Sequence, residues 1–204
     1  MLKKVLSSAI LLAAMNASAG ENYFANEWDA KGLIAIEGAA GSTNTSYRDT
    51  TTTPGSTIIT NDETSAAVSG SLKLGGETKF YRLFLAGSYY QLDVPNTSVS
   101  TAMSLGLQVD YLIRAGEHFN IFMGLNGGGI VSTFDYDVAG VVTSTTNQNG
   151  YGGAQAGANI DLIDNLGIEL GVRAKHVFSD NDTFAIDDMF EAYGSIVFKF
   201  IGEY

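Results

Sequence analysis

The chain has 204 residues, with 22 acidic against 11 basic side chains, a formal net charge of −11, and no cysteine. That acidity makes nucleic acid and anionic membrane surfaces poor partners, and the missing cysteines exclude both a disulfide scaffold and a thiolate-bound zinc. With 24 glycines and only 2 prolines, strands and turns are favoured over helices, which glycine weakens.

The first element is a leader. Lys3 and Lys4 precede an apolar run from Val5 to Met15, and Ala17-Ser18-Ala19 provides a small-x-small exit before Gly20. A basic start, an apolar stretch too short to span a membrane and that exit predict a signal peptide over 1–19, cleaved after Ala19. Residues 20–30 read as a short N-terminal segment, and 31–204 as one domain. No later run of about 18 apolar residues offers a transmembrane helix.

From Gly32 onward the sequence alternates with period two, which predicts strands. Strand one, about 32–40, sets Ile34, Ile36 and Gly38 against Leu33, Ala35 and Glu37. Strand two, about 65–74, sets Val68, Leu72 and Leu74 against Ser69, Ser71 and Lys73. Strand three, about 79–90, sets Tyr81, Leu83, Leu85 and Tyr89 against Phe80, Arg82 and Phe84. In strand four, about 101–114, Met103, Leu105, Leu107, Val109, Tyr111 and Ile113 face Ala102, Ser104, Gly106, Gln108 and Asp110. Strand five, about 119–131, sets Phe119, Ile121, Met123 and Leu125 against Asn120, Phe122 and Gly124. Strand six, about 151–162, has an alanine face opposite Tyr151, Gln155, Asn159 and Asp161. Strand seven, about 166–177, sets Ile168, Leu170 and Val172 against Glu169, Arg173 and Lys175. The tail from Ala192 to Tyr204 sets Ile196, Phe198, Phe200, Gly202 and Tyr204 against Tyr193, Ser195, Val197 and Lys199.

The connections alternate in length. Segments 75–78, 115–118 and 163–165 read as tight turns, while 41–64, 91–100, 132–150 and 178–189 are long and polar. Two of the long ones carry hairpin signals, Pro54-Gly55 and Ala139-Gly140. Eight strands with short turns at one end and long loops at the other predict an all-β, eight-stranded antiparallel up-and-down transmembrane β-barrel.

Small residues decide which face is inside. The bore of an eight-stranded barrel is just wide enough for side chains, and the charged face carries Ser69, Ser71, Ser104, Gly106, Gly124, Gly128, Gly157 and Gly171. The oily face lacks the Lys or Arg that would cost roughly 2–4 kcal/mol at mid-membrane. A lumenal charge network of Glu37, Lys73, Arg82, Asp110, Asp161, Glu169, Arg173, Lys175 and Lys199 follows, nearly balanced as burial requires. Barrel closure suggests Glu37 as the partner of Lys199. Aromatic girdles are expected at the two membrane interfaces. Phe24, Trp28, Tyr81, Tyr111, Phe119, Phe200 and Tyr204 belong to the short-turn end, and Tyr89, Phe134, Tyr136, Phe178 and Phe190 to the long-loop end.

On these residues the chain resembles the small eight-stranded outer-membrane barrels of Gram-negative bacteria, the family of the OmpA transmembrane domain and OmpX. Ile196, Phe198, Phe200, Gly202 and Tyr204 look like that family's C-terminal assembly signal, with Tyr in place of the commoner Phe. The resemblance implies a cell outer membrane location, contact with outer-membrane lipid and lipopolysaccharide, and delivery by the barrel-assembly machinery. It also implies a monomer with a structural or surface-interaction role and a salt-bridge-plugged lumen. With no peptidoglycan-binding domain after the barrel, a wall-anchoring role is not expected.

A minor porin passing small solutes is the alternative, suggested by the polar lumen and glycine-rich walls. An outer-membrane lipid A-modifying enzyme is a more distant one. Its single candidate is His176, and the serine that lipid A deacylases place two residues on is here Phe178, so a non-enzymatic chain is expected. The glycine clusters at 127–129 and 150–153 lack any nucleotide-binding spacing, and no cofactor is expected. Residues 179–183 and Asp187-Asp188 offer oxygens for weak calcium binding but lack EF-hand spacing, so a solvated acidic loop is the expectation and no metal site is assigned.

Overall fold

The computed structural model describes residues 31–49, 59–94, 97, 99–138, 141–179 and 184–201. Trp28, Gly202, Tyr204, the expected leader and Pro54-Gly55 therefore lie outside the described residues, as do Asp180 to Thr183. The strands are β1 (Lys31–Asp49), β2 (Ile59–Glu77), β3 (Tyr81–Leu92), β4 (Val99–Arg114), β5 (Phe119–Val138), β6 (Val141–Ile163), β7 (Leu166–Phe178) and β8 (Phe184–Ile201). Each pairs antiparallel with the next, and β8 returns to β1 to close the barrel. Closure satisfies every rung of the ladder within the wall, the condition for putting backbone into hydrocarbon.

Alternation continues well beyond the limits read from apolar content. β1 and β2 stay paired up to Asp49 and Ile59, and β5 and β6 up to Val138 and Val141, so most of 41–64 and 132–150 is sheet rather than loop. Val138 opposite Val141 brackets Ala139-Gly140, where the two-residue hairpin was expected. Gly75, Gly76 and Glu77 belong to β2, and the first tight turn is 78–80, not 75–78. Phe80 sits exposed in that turn instead of on a strand.

The rim is uneven. β3 stops at Leu92, level with Ala67 of β2, and β7 stops at Phe178, level with Gly150 of β6. At about 3.3 Å per residue and a tilt of ~40°, the 12 residues of β3 rise about 30 Å, enough to cross a bilayer, whereas the 23 residues of β6 must project past it.

Large apolar side chains cover the outside, among them Leu105, Leu107, Leu125, Leu170 and Phe198. Soluble monomers rarely expose such a continuous patch, and here it encircles the wall. Tyr81 and Tyr111 stand opposite each other at the short-turn end, with ring centroids 5.5 Å apart, and Phe119 and Phe200 are exposed at the same end. Tyr89, Phe178 and Phe190 are exposed toward the other end. Phe134 departs from expectation: it has no exposure and points into the lumen, because it continues the inward parity of Asn120, Phe122, Ile130 and Ser132 along β5. Tyr136 has no described side chain.

An outward substitution at mid-wall tests the assignment of faces. Leu107→Arg should destabilise the barrel in lipid vesicles by about 2–4 kcal/mol, read as a shift of the urea midpoint of its heat-modifiable gel migration.

Candidate functional site

Parity along each strand sends one set of side chains into the bore, and most of these are polar. Glu37 comes from β1, Lys73 and Glu77 from β2, Arg82 from β3, Asp110 and Gln108 from β4, Gln155 and Asp161 from β6, Glu169, Arg173 and Lys175 from β7, and Glu191 and Lys199 from β8. Except for Asp161, which is half-buried, all of these residues are buried.

Most of these ions form one alternating chain. Asp110 Oδ2 accepts from Arg82 Nε at 3.1 Å and Nη2 at 3.0 Å, and Arg82 Nη2 also lies 2.7 Å from Glu169 Oε2. Lys73 stands between Glu169, 3.9 Å away, and Glu37, with which it makes a tight ion pair. Arg173 then joins Glu37 through Nη2 at 2.8 Å to Glu191 through Nε at 3.0 Å, and Lys175 lies 3.4 Å beyond on Glu191. Tyr90 receives the ammonium of Lys175 at the end of the chain. Because β3 and β7 lie half-way round the barrel from each other, the Arg82–Glu169 pair crosses the lumen. Removing one ion from such a chain strands its neighbours, which costs about 3–5 kcal/mol where both are buried.

A second cluster sits nearer the short turns. Lys199 Nζ lies 3.1 Å from Glu77 and 2.9 Å from Asp161. The expected Lys199–Glu37 pair is therefore corrected: Ser195, not Lys199, is the β8 residue opposite Glu37. Lys199 is opposite Leu33, four residues and so two pleat repeats closer to the barrel end, where Glu77 is in reach. Glu77 and Glu191 were not among the expected lumenal ions, since one was read as turn and the other as loop edge. Both lie on the inward parity of Lys73 and Lys199, so a longer strand reading contains them.

The network is packed with matching shapes. Arg82 stacks 4.8 Å from the Phe122 ring centroid, and Lys73 and Arg173 each lie 4.9 Å from that of Tyr193, contacts that add attraction where water is scarce. Gln155 donates to Asp110 Oδ1 at 2.6 Å and Gln108 to Oδ2 at 2.9 Å. The space for these groups is made by glycine. A Cβ on Gly106 would come within 2.2 Å of the Tyr151 hydroxyl, and one on Gly124 within 2.1 Å of Asp110 Oδ1.

Above the ions the lumen turns apolar, which the alternation of small and polar residues did not suggest. Tyr90, Ile130, Phe134, Tyr151, Ile186 and Met189 are among the larger members of one buried cluster toward the loop-side end. A smaller group of Leu33, Ala35, Phe84 and Val197 lies toward the short turns. Apolar clusters thus flank the main ion chain toward both ends of the barrel, beside the Lys199 cluster at the short turns and buried Thr43, Thr45, Ser132 and Asn147 at the loop side.

His176 lies outside the barrel on β7. Its Nδ1 is 2.9 Å from Asp188 Oδ1, directly across the β7–β8 pair, and its ring meets Phe178 edge-on at 5.3 Å. Among the described residues no serine or threonine hydroxyl bonds to it, and the nearby Ser179 donates to Asp187 at 3.2 Å instead. The described residues contain no group of three metal-ligating side chains.

Lipid-compatible outside, ion-locked inside and closed on itself, the chain has the fold of the small eight-stranded outer-membrane barrels. It is similar to Neisserial surface protein A, with a TM-score of 0.63 at 14% identity over 84% of this chain and 99% of that one. It is also similar to outer membrane protein H (OprH) from Pseudomonas aeruginosa, with a TM-score of 0.50 at 14% identity over 83% and 99% of the two chains. No protein-family model matches the sequence, and no curated protein matches it.

The burial of each ion sets the expected cost of losing it. Arg82→Met leaves buried Asp110 without its cation and Glu169 with only Lys73 at 3.9 Å, and should destabilise the barrel by about 3–5 kcal/mol. Lys199→Met should cost clearly less, because the Asp161 side chain keeps 18% of its surface in contact with solvent. Urea titration of both variants in vesicles checks the order.

Proposed function

We propose that the protein is exported to the outer membrane of a Gram-negative bacterium and serves there as a sealed, non-enzymatic barrel. Its rigid wall presents the polar loop end to the outside. The observation that carries this reading is the buried ion chain that fills the bore, with Arg82 and Glu169 paired across it and the cluster of Tyr90, Ile130, Phe134 and Met189 packed toward the loop side. Small ions would have to break these buried pairs to pass, which argues against a minor porin. Against an enzymatic role stands His176, whose described partners are Asp188 and Phe178 rather than a nucleophile. The long β1–β2 and β5–β6 hairpins, rising past the ends of β3 and β7, suit contact with other surfaces.

On this reading the chain works as a monomer among outer-membrane lipid and lipopolysaccharide, since closure leaves no strand edge for a partner within the membrane. Residues 1–19 act as the export signal. Ile196, Phe198 and Phe200, outward on β8 and continuing to Gly202 and Tyr204 in sequence, act as the tag read by the barrel-assembly machinery.

Purified protein in planar bilayers should give no stable single-channel steps, and steady conductance would overturn the sealed-barrel reading. In cells, deletion of Phe200 to Tyr204 should abolish heat-modifiable protein in the outer-membrane fraction. The mature N-terminus, read by Edman degradation, should be Gly20.

A further inference from the structure

The step in the rim where β3 ends makes a notch in the wall. Beyond Leu92 the chain leaves β3, yet β2 continues beside it toward Ile59, and the Asp93 N–H donates to the Ala66 carbonyl at 2.9 Å to fasten the departing segment against β2. Thr97 then holds the turn toward β4, its Oγ1 bonding the Val94 carbonyl at 2.7 Å and lying 2.6 Å from Ser100 Oγ. Between these strands lies a cavity of about 530 Å³, within the ~300–1,000 Å³ range of small-molecule sites.

Its chemistry is mixed in a particular way. Ala67, Leu92 and Val94 give it an apolar floor shared with the lumenal cap. Tyr89, about half exposed, supplies an aromatic ring at the side, and Gln91, Asp93 and Thr101 supply polar groups around it. No side-chain hydrogen bond or ion pair ties up Gln91, Asp93 or Thr101 among the described residues, although all three border the cavity. No lysine, arginine or histidine is among the described residues that line it. An aromatic ring beside free amide, carboxylate and hydroxyl groups matches a pyranose, which has one face of C–H bonds and an equator of hydroxyls. The single carboxylate and the missing cation disfavour phosphorylated, sulfated or otherwise anionic ligands.

We propose that this notch binds saccharide, taking neutral hexose or N-acetylhexosamine units with Tyr89 stacked on the sugar face and Asp93 and Gln91 accepting and donating at its hydroxyls. It lies where the wall leaves the membrane: Tyr89 is eight residues along β3 from Tyr81 of the opposite girdle, about 20 Å at 3.3 Å per residue and ~40° tilt. Two sources present such sugars at that height, the core of lipopolysaccharide in the same membrane and glycans met outside the cell. That the notch meets them from the outer side rests on the orientation proposed above, but binding by the purified barrel does not.

The test is an amide-shift titration of the ¹⁵N-labelled full chain in detergent micelles with three probes: chitotriose, a neutral outer-core hexose oligosaccharide freed of the phosphates and acidic sugars of lipopolysaccharide, and a sulfated heparin disaccharide. Saturable shifts confined to residues 66–68, 89–94 and 97–101 with either of the first two probes support the site, and which of the two binds identifies the source. Tyr89→Ala and Asp93→Asn, each verified as folded by heat-modifiable migration, should weaken that binding about tenfold or more. Absence of saturable shifts with both neutral probes, equal binding of the sulfated probe, or binding unchanged in both variants overturns the proposal. A barrel that binds sugar yet conducts in bilayers would leave this site standing and remove the sealed-lumen reading instead.

Discussion

An eight-stranded barrel has a bore no wider than the side chains that fill it, and that narrowness governs everything else in this chain. With lipid outside and no room for bulk water inside, each inward ion must find its counter-ion on another strand. Arg82 reaches both Asp110 beside it and Glu169 across the lumen. Glycines at 106 and 124 exist to admit Tyr151 and Asp110. The same constraint makes conduction and structure competitors, because the groups that would line a pore are the ones that hold the wall together.

The outer face follows from the complementary demand. Hydrocarbon rewards bulk but not polarity, so the outward positions of β4 read Met103, Leu105, Leu107 and Val109 without interruption. Where the wall leaves the lipid, the rule relaxes at once. His176 and Asp188 face outward and pair with each other, and the β3–β4 rim becomes rich in hydroxyl and amide groups.

Much of this was legible in the sequence because a strand has a fixed phase. Once Lys73, Arg82 and Asp110 were placed on one parity and Leu72, Leu83 and Val109 on the other, closure and direction followed. What escaped was the length over which the phase holds. Past Ala40 and Val131 the outward residues turn polar, so strand and loop look alike in composition although pairing continues to Asp49 and Val138. Phe134 was lost in those extensions, and with it part of the apolar cap, while Glu77 and Glu191 fall just outside the limits that apolar content sets for the second and last strands. The partner of Lys199 was hidden for another reason: adjacency in the sheet fixes which backbones face, whereas a long side chain chooses among counter-ions according to the stagger of the whole ring.

The alternating chain from Asp110 to Lys175 draws on β4, β3, β7, β2, β1 and β8, and its links include pairs that neighbour each other only once the ring is shut. An open sheet would have Glu37 on its first strand and Arg173 on its last but one, too far apart to pair and both still hydrated. Joining β8 to β1 is then the event at which these charges can be dehydrated together. A partly zipped barrel would therefore carry an electrostatic penalty that the closed one escapes.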